Sequence, residues 1–99
     1  MAIIRLAPEA ESELDDIWLY IVRGSGYPDI ANRVVDGITE RFWLLARYPF
    51  VGRERDTDLG PGLRRLPCGN YIVIYRVESE IVLILHIVPA GRDISALFA

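Results

Sequence analysis

Two long apolar runs near the end of the chain leave few ways to fold it. Tyr71-Ile72-Val73-Ile74-Tyr75-Arg76-Val77 and Ile81-Val82-Leu83-Ile84-Leu85-His86-Ile87-Val88 are dense in β-branched and aromatic residues. The short polar stretch Glu78-Ser79-Glu80 separates them, which predicts a β-hairpin. The second run has almost no polar alternation, so it predicts an inner strand covered on both faces. Leu63-Arg64-Arg65-Leu66 precedes the pair across the turn Pro67-Cys68-Gly69-Asn70. Three strands joined by short turns predict an antiparallel meander.

The cover for that sheet has to come from upstream. Ala2 to Leu6 read as a first strand, and Pro8 then suits the first turn of a helix. Ala10, Leu14, Ile17 and Ile21 recur at spacings of four, three and four, one helical face, with Glu9, Glu13 and Asp16 largely on the other. Arg23 and Gly24 form a stop signal. Pro28 opens a second helix, whose stripe is Ala31, Val35, Ile38, Phe42 and Leu45. Gly37 inside it is unfavourable by about 1 kcal/mol, which predicts close packing there. Tyr48-Pro49 ends this helix, and Pro49 to Gly62, with alternating charge, reads as a loop. The expected order is β-α-α-β-β-β: an α+β fold with an αα-hairpin packed on a small antiparallel sheet. Residues 1–99 read as a single domain with one core.

Charge and composition exclude several functions. A net charge of −3 argues against a nucleic-acid binder held by a bulk positive field. Residues 1–50 hold eight acids and five arginines, residues 51–99 six of each, so the excess is confined to the first half. All eleven cations are arginines, which pair well with phosphate or carboxylate and cannot act as general bases. One cysteine (Cys68) and one histidine (His86) leave no metal-ligand cluster, so neither metal nor cofactor is expected. No leader or membrane-spanning pattern is legible, and the expected location is the reducing cytoplasm. Hydrophobic residues make up 52% of a small chain, which points to a partner covering part of the surface.

Six pieces spread over the chain carry a family resemblance. They are Leu6-Ala7-Pro8-Glu9-Ala10, Leu14-Asp15-Asp16-Ile17-Trp18-Leu19-Tyr20-Ile21, and Tyr48-Pro49-Phe50-Val51-Gly52-Arg53. Then come Gly62-Leu63-Arg64-Arg65-Leu66, Gly69-Asn70-Tyr71-Ile72-Val73-Ile74-Tyr75-Arg76-Val77, and the last strand with Gly91-Arg92-Asp93. In this order and spacing they resemble the ParE/RelE superfamily of type II toxin–antitoxin (plasmid stabilisation) toxins, and more closely its ParE branch. Members commonly carry an arginine and then a histidine on the last strand, where this chain has His86 and, near the second position, Pro89.

The resemblance implies a toxin that inhibits DNA gyrase and is neutralised by a cognate antitoxin, ParD-like or RelB-like, in a toxin–antitoxin hetero-oligomer. It implies Arg53, Arg64, Arg65 and Arg92 as contacts to the target. Trp18, Trp43, Tyr71 and Arg76 are the implied contacts to the antitoxin. The alternatives are a RelE-like nuclease that cuts messenger RNA on the ribosome, and a degenerate toxin that binds antitoxin without poisoning cells.

RNA cleavage needs a base for the 2′-hydroxyl, charge stabilisation at phosphorus and an acid for the leaving oxygen. His86, Tyr75 and Arg92 are the candidates, and the absence of lysine speaks against this chemistry. Each candidate also has an ordinary reading. His86, mid-strand, reads first as a half-buried histidine bonded to a neighbour, its face set by the hairpin register. A three-residue turn pairs it with Ile72; a two-residue turn turns it to the Tyr71/Tyr75 face. Arg64 and Arg65, adjacent in a strand, point to opposite faces, with Glu54, Asp56 or Asp58 as potential ion-pair partners.

Overall fold

The computed structural model describes residues 1–54 and 61–91. Its elements in chain order are β1 (Ile3–Leu6), α1 (Pro8–Ser25), α2 (Pro28–Arg47), β2 (Arg53–Glu54), β3 (Leu63–Cys68), β4 (Tyr71–Glu78) and β5 (Ile81–Pro89). The two helices pack on a five-stranded sheet of order β1-β5-β4-β3-β2. The successive pairs β2–β3, β3–β4 and β4–β5 are antiparallel, giving the expected meander. Strand β1 joins β5 in parallel, so the sheet is mixed.

The helix stripes point where their spacing predicts. Ala10 and Ile17 of α1 and Ala31, Ile38, Phe42 and Leu45 of α2 are buried, and most of them pack with Val73, Tyr75, Val82, Ile84 and Ile87 of the sheet. Pro8 and Pro28 each sit in a first helical turn, where their missing N–H is harmless. The indole Nε1–H of Trp18 donates to Asn32 Oδ1 at 2.8 Å and ties α1 to α2.

Several boundaries differ from expectation for local reasons. α1 runs past Gly24 to Ser25, because the left-handed residue that closes it is Gly26 (φ 75°), whose N–H donates to the Val22 carbonyl. The Ser25 hydroxyl donates to the Ile21 carbonyl and accepts the Tyr27 N–H, which steadies the exit. Arg53 and Glu54, read as loop, form the short edge strand β2, opposite Arg65 and Arg64. Two residues are too few to show a period of two. Gly37 is not a close-packing site: a Cβ there meets nothing within 4 Å. Strand β3 continues through Pro67, which lies beyond the two residues that β2 covers.

The β4–β5 turn has two residues, since Glu78 pairs with Ile81. Ser79 takes a left-handed φ of 57° there, the sense a tight hairpin requires. A register shift follows: Tyr75 pairs with Ile84 but Ile74 pairs with His86, so Leu85 is the extra residue of a bulge. His86 therefore meets neither partner that an unbroken register offers it.

On the face away from the helices, Leu63, Ile72, Ile74 and Val88 form a second buried cluster with Leu85 beside it. This face is thus not an open apolar surface. Arginines mark its margins.

Candidate functional site

Residues paired across strands share a face, so the register converts the arginine positions into two sets. One row reads Arg5, Leu83, Arg76, Leu63, and the next His86, Ile74, Arg65, Arg53. Arg5, Arg53, Arg65 and Arg76 thus lie on the face away from the helices. Arg64, paired with Tyr75, lies on the other, as neighbours in a strand must. Arg76 is held by an ion pair with Glu78 two residues along the same strand, and its Nε is buried without a hydrogen-bond partner. Arg92, proposed for both target binding and catalysis, and Asp93, Arg55, Asp56 and Asp58 lie outside the described residues.

Arg64 organises the segment before it. Its Nη1–H groups reach the carbonyls of Gly52 (2.9 Å) and Phe50 (3.4 Å), and its Nη2 lies 3.5 Å from Glu54 Oε2. The guanidinium also stands 5.0 Å from the centre of the Phe50 ring. Beside it, the Tyr75 hydroxyl accepts the Gly52 N–H at 2.7 Å, and Tyr75 is wholly buried. Burial pushes the Tyr75 phenol above its ordinary 10.0, although the Gly52 hydrogen bond and the Arg64 charge pull it down. As a nuclease residue Tyr75 is therefore displaced: its oxygen faces Gly52 and not solvent.

His86 is occupied as well. Its Nδ1 lies 3.1 and 3.2 Å from the two carboxylate oxygens of Glu13 in α1. The same carboxylate accepts the Ile87 backbone N–H at 3.0 Å. Strand β1 covers β5 only as far as Ile84, and Glu13 supplies the acceptor that a longer β1 would have provided. His86 pairs with Ile74 while Tyr75, the next residue, points to the helices. The histidine and tyrosine do not converge on one pocket.

Three hollows among the described residues lie on the helix side. A groove of about 800 Å³ runs between α2 and the β3–β4 turn, lined by Ile21, Val34, Leu44 and Tyr71 among others. A second, of about 380 Å³, lies between α1 and the strand ends, lined by Glu13, Tyr20, Tyr71 and Pro89. Asn70 and Tyr71 line both. The Tyr71 phenol is raised above 10.0 by burial, with the neighbouring Tyr20 adding to it. A third, largely apolar hollow of about 400 Å³ is formed by Met1, Ile4, Phe42 and Trp43, and Trp43 is 72% exposed. Of the aromatic residues proposed for antitoxin contact, Tyr71 and Trp43 line concave surface. Trp18 is half-buried and bonded within the helix pair.

Glu13 and Gly52 escaped the sequence reading as site-forming residues. The α1 spacing sets Glu13 largely on the solvent face, yet it lies three residues after Ala10 and four before Ile17, one step off the buried stripe. Among the described residues no group of three or more His, Cys, Asp or Glu side chains has the geometry to hold a metal. No helix among them is long and apolar enough to cross a membrane.

An αα-hairpin on a mixed five-stranded sheet is the fold of the ParE/RelE toxins. A solved chromosomal ParDE toxin–antitoxin system from P. aeruginosa superposes with a TM-score of 0.78 at 26% identity, covering 90% of this chain and 96% of that one. The RelBE2 toxin–antitoxin complex of Mycobacterium tuberculosis shares the fold, with a TM-score of 0.63 at 24% identity over 89% and 96% of the two chains. Residues 4–94 match the family described as ParE toxin of type II toxin-antitoxin system, parDE. Toxin ParE1 of Caulobacter vibrioides is 33% identical over 84 residues, 83% of this chain and 85% of that protein. Toxin ParE3 of the same organism is 31% identical over 94 residues, 95% and 91% of the two. Toxin ParE1 of Mycobacterium tuberculosis is 31% identical over 85 residues, 82% and 85% of the two. The chain belongs to the ParE family of type II toxin–antitoxin toxins.

Proposed function

We propose that this toxin acts in the cytoplasm, as a single domain, by binding DNA gyrase without chemistry of its own. The observation that carries the reading is the state of the titratable groups. Tyr75 is wholly buried against Gly52, and His86 is held by Glu13 at the sheet edge. The two lie on opposite faces of the sheet, so they do not form an acid–base pair around one bound RNA, and arginine does not serve as a base at neutral pH. What remains on the surface suits recognition: guanidinium groups, exposed aromatics and concave apolar surface.

Neutralisation is the work of a ParD-like antitoxin, which lays an amphipathic segment into the grooves that meet at Tyr71. The half-buried phenol and the apolar walls on either side of it support that placement. Toxin and antitoxin then form a hetero-oligomer.

The test is expression of the chain without antitoxin in cells carrying an SOS reporter, together with a gyrase supercoiling assay using purified toxin. Reporter induction and loss of supercoiling are the expected results. Growth arrest with a silent reporter and cleaved messenger RNA would overturn the gyrase reading in favour of ribosome-dependent cleavage. Normal growth would mark a toxin that binds antitoxin only.

A further inference from the structure

Arg53 and Arg65 are directly opposite each other where β2 meets β3. In an antiparallel pair this places their Cβ atoms about 5 Å apart on one face, an arrangement that destabilises a sheet when the charges are alike. Arg64, one residue away, is satisfied by two carbonyls and Glu54. Among the described residues neither Arg53 nor Arg65 has an acidic partner; Glu54, the nearest acid in sequence, is turned to Arg64. Arg65 is half-buried, so its charge is not simply solvated. A cavity of about 410 Å³ opens beside the two, and its remaining walls are Val51, Leu66 and Pro67.

We infer that Arg53 and Arg65 form a clamp for one carboxylate, borne by an acidic side chain on a partner peptide with apolar neighbours. Two guanidinium forks converging on one anion turn a repulsion into a pair of charge-assisted hydrogen bonds. The apolar walls suit the aliphatic flank of such a peptide. A nucleic acid fits less well. It would need a track of cations along its phosphates, and the next arginine on this face, Arg76, is engaged by Glu78 on a chain of net charge −3.

The clamp does not depend on gyrase being the target, and the two readings fail separately, because this one is tested with purified components. The probes are the acetylated, amidated peptide Leu-Asp-Leu-Asp-Leu, its Leu-Asn-Leu-Asn-Leu counterpart and a short DNA duplex. Each is titrated against the full chain and against Arg53→Gln and Arg65→Gln.

The Asp peptide is expected to bind the wild-type chain and to lose about tenfold in affinity with either variant, as for loss of one charged hydrogen bond. Without peptide, both variants are expected to melt at a higher temperature, because the like-charge pair is gone. Equal binding of the Asn peptide would overturn the proposal, as would undiminished binding by the variants. Tighter binding of the duplex, lost in both variants, would assign the pair to phosphate instead. A lower melting temperature in both variants would show that the arginines are structural, and would also overturn it.

Discussion

The Gly52 amide donates to the Tyr75 hydroxyl at 2.7 Å, across 23 residues of sequence, and only glycine fits against that ring. A Cβ on Gly52 would lie 2.6 Å from Cε1 and 2.8 Å from Cζ of Tyr75, distances real side chains do not adopt. Tyr75 is wholly buried, so the ring cannot move aside cheaply. This contact, with the Arg64 bonds beside it, holds residues 50–54 against the sheet and positions β2.

Gly52→Ala is therefore expected to lower stability by about 1–3 kcal/mol, the usual cost of overpacking. Tyr75→Phe should lose about 1–3 kcal/mol by leaving the Gly52 N–H buried without an acceptor. Urea denaturation of both variants checks this, and a neutral result for Gly52→Ala would show that the segment yields.

The same tyrosine gives the chain an alkaline limit. Its folded-state pKa is raised above 10.0 by burial, so the folded state holds the proton more tightly than the unfolded chain. The stabilisation is fully present below 10.0 and is lost as pH rises from there through the folded value. Denaturation midpoints should stay level up to about pH 10 with respect to this group and then fall. Tyr75→Phe should reduce that fall, leaving the part due to Tyr71, which is raised in the same direction.

Arg64→Ala is expected to destabilise the fold by about 1–3 kcal/mol, because two carbonyls lose a charged donor. Arg64→Lys should not restore the loss, since one ammonium cannot reproduce the planar fork. A melting temperature unchanged by Arg64→Ala would return this arginine to the set free for target contact.

Glu13→Ala should cost about 1–3 kcal/mol by leaving the Ile87 N–H without its acceptor, and Glu13→Gln less, since an amide oxygen can still accept. Hydrogen exchange at Ile87 is the sharper measurement: faster exchange in Glu13→Ala than in Glu13→Gln locates the loss at the β5 edge.

The two tryptophans should separate stability from binding. Trp43→Ala, at a site 72% exposed, should change stability by no more than about 0.5 kcal/mol while weakening antitoxin binding. Trp18→Phe should instead cost about 0.5–1.5 kcal/mol through loss of the Asn32 bond. Denaturation and pull-down with the antitoxin measure both quantities on the same samples.

Much of the architecture is written locally and can be read without a structure. The stripes Ala10-Leu14-Ile17-Ile21 and Ala31-Val35-Ile38-Phe42-Leu45 define both helices and the faces they bury. The two β-rich runs and their polar turn define the hairpin, and strand alternation alone separates Arg64 from Arg65. These features depend on residues a few positions apart, where helical and extended periods act directly. The family pattern rides on the same segments, which is why it too was legible in the sequence.

Other features depend on edges and register, which no local period encodes. A single bulge at Leu85 decides that His86 pairs with Ile74, and the short reach of β1 decides that Glu13, 74 residues from Ile87, completes the edge. Likewise β2 exists because Arg64 and Tyr75 hold the chain ahead of it, and its pairing brings Arg53 opposite Arg65. Composition and spacing thus determined the two helices and the longer strands, and which faces the helices bury. Tertiary structure alone decided which polar groups meet, because each hydrogen-bonding group left at a strand end must find its partner across the fold.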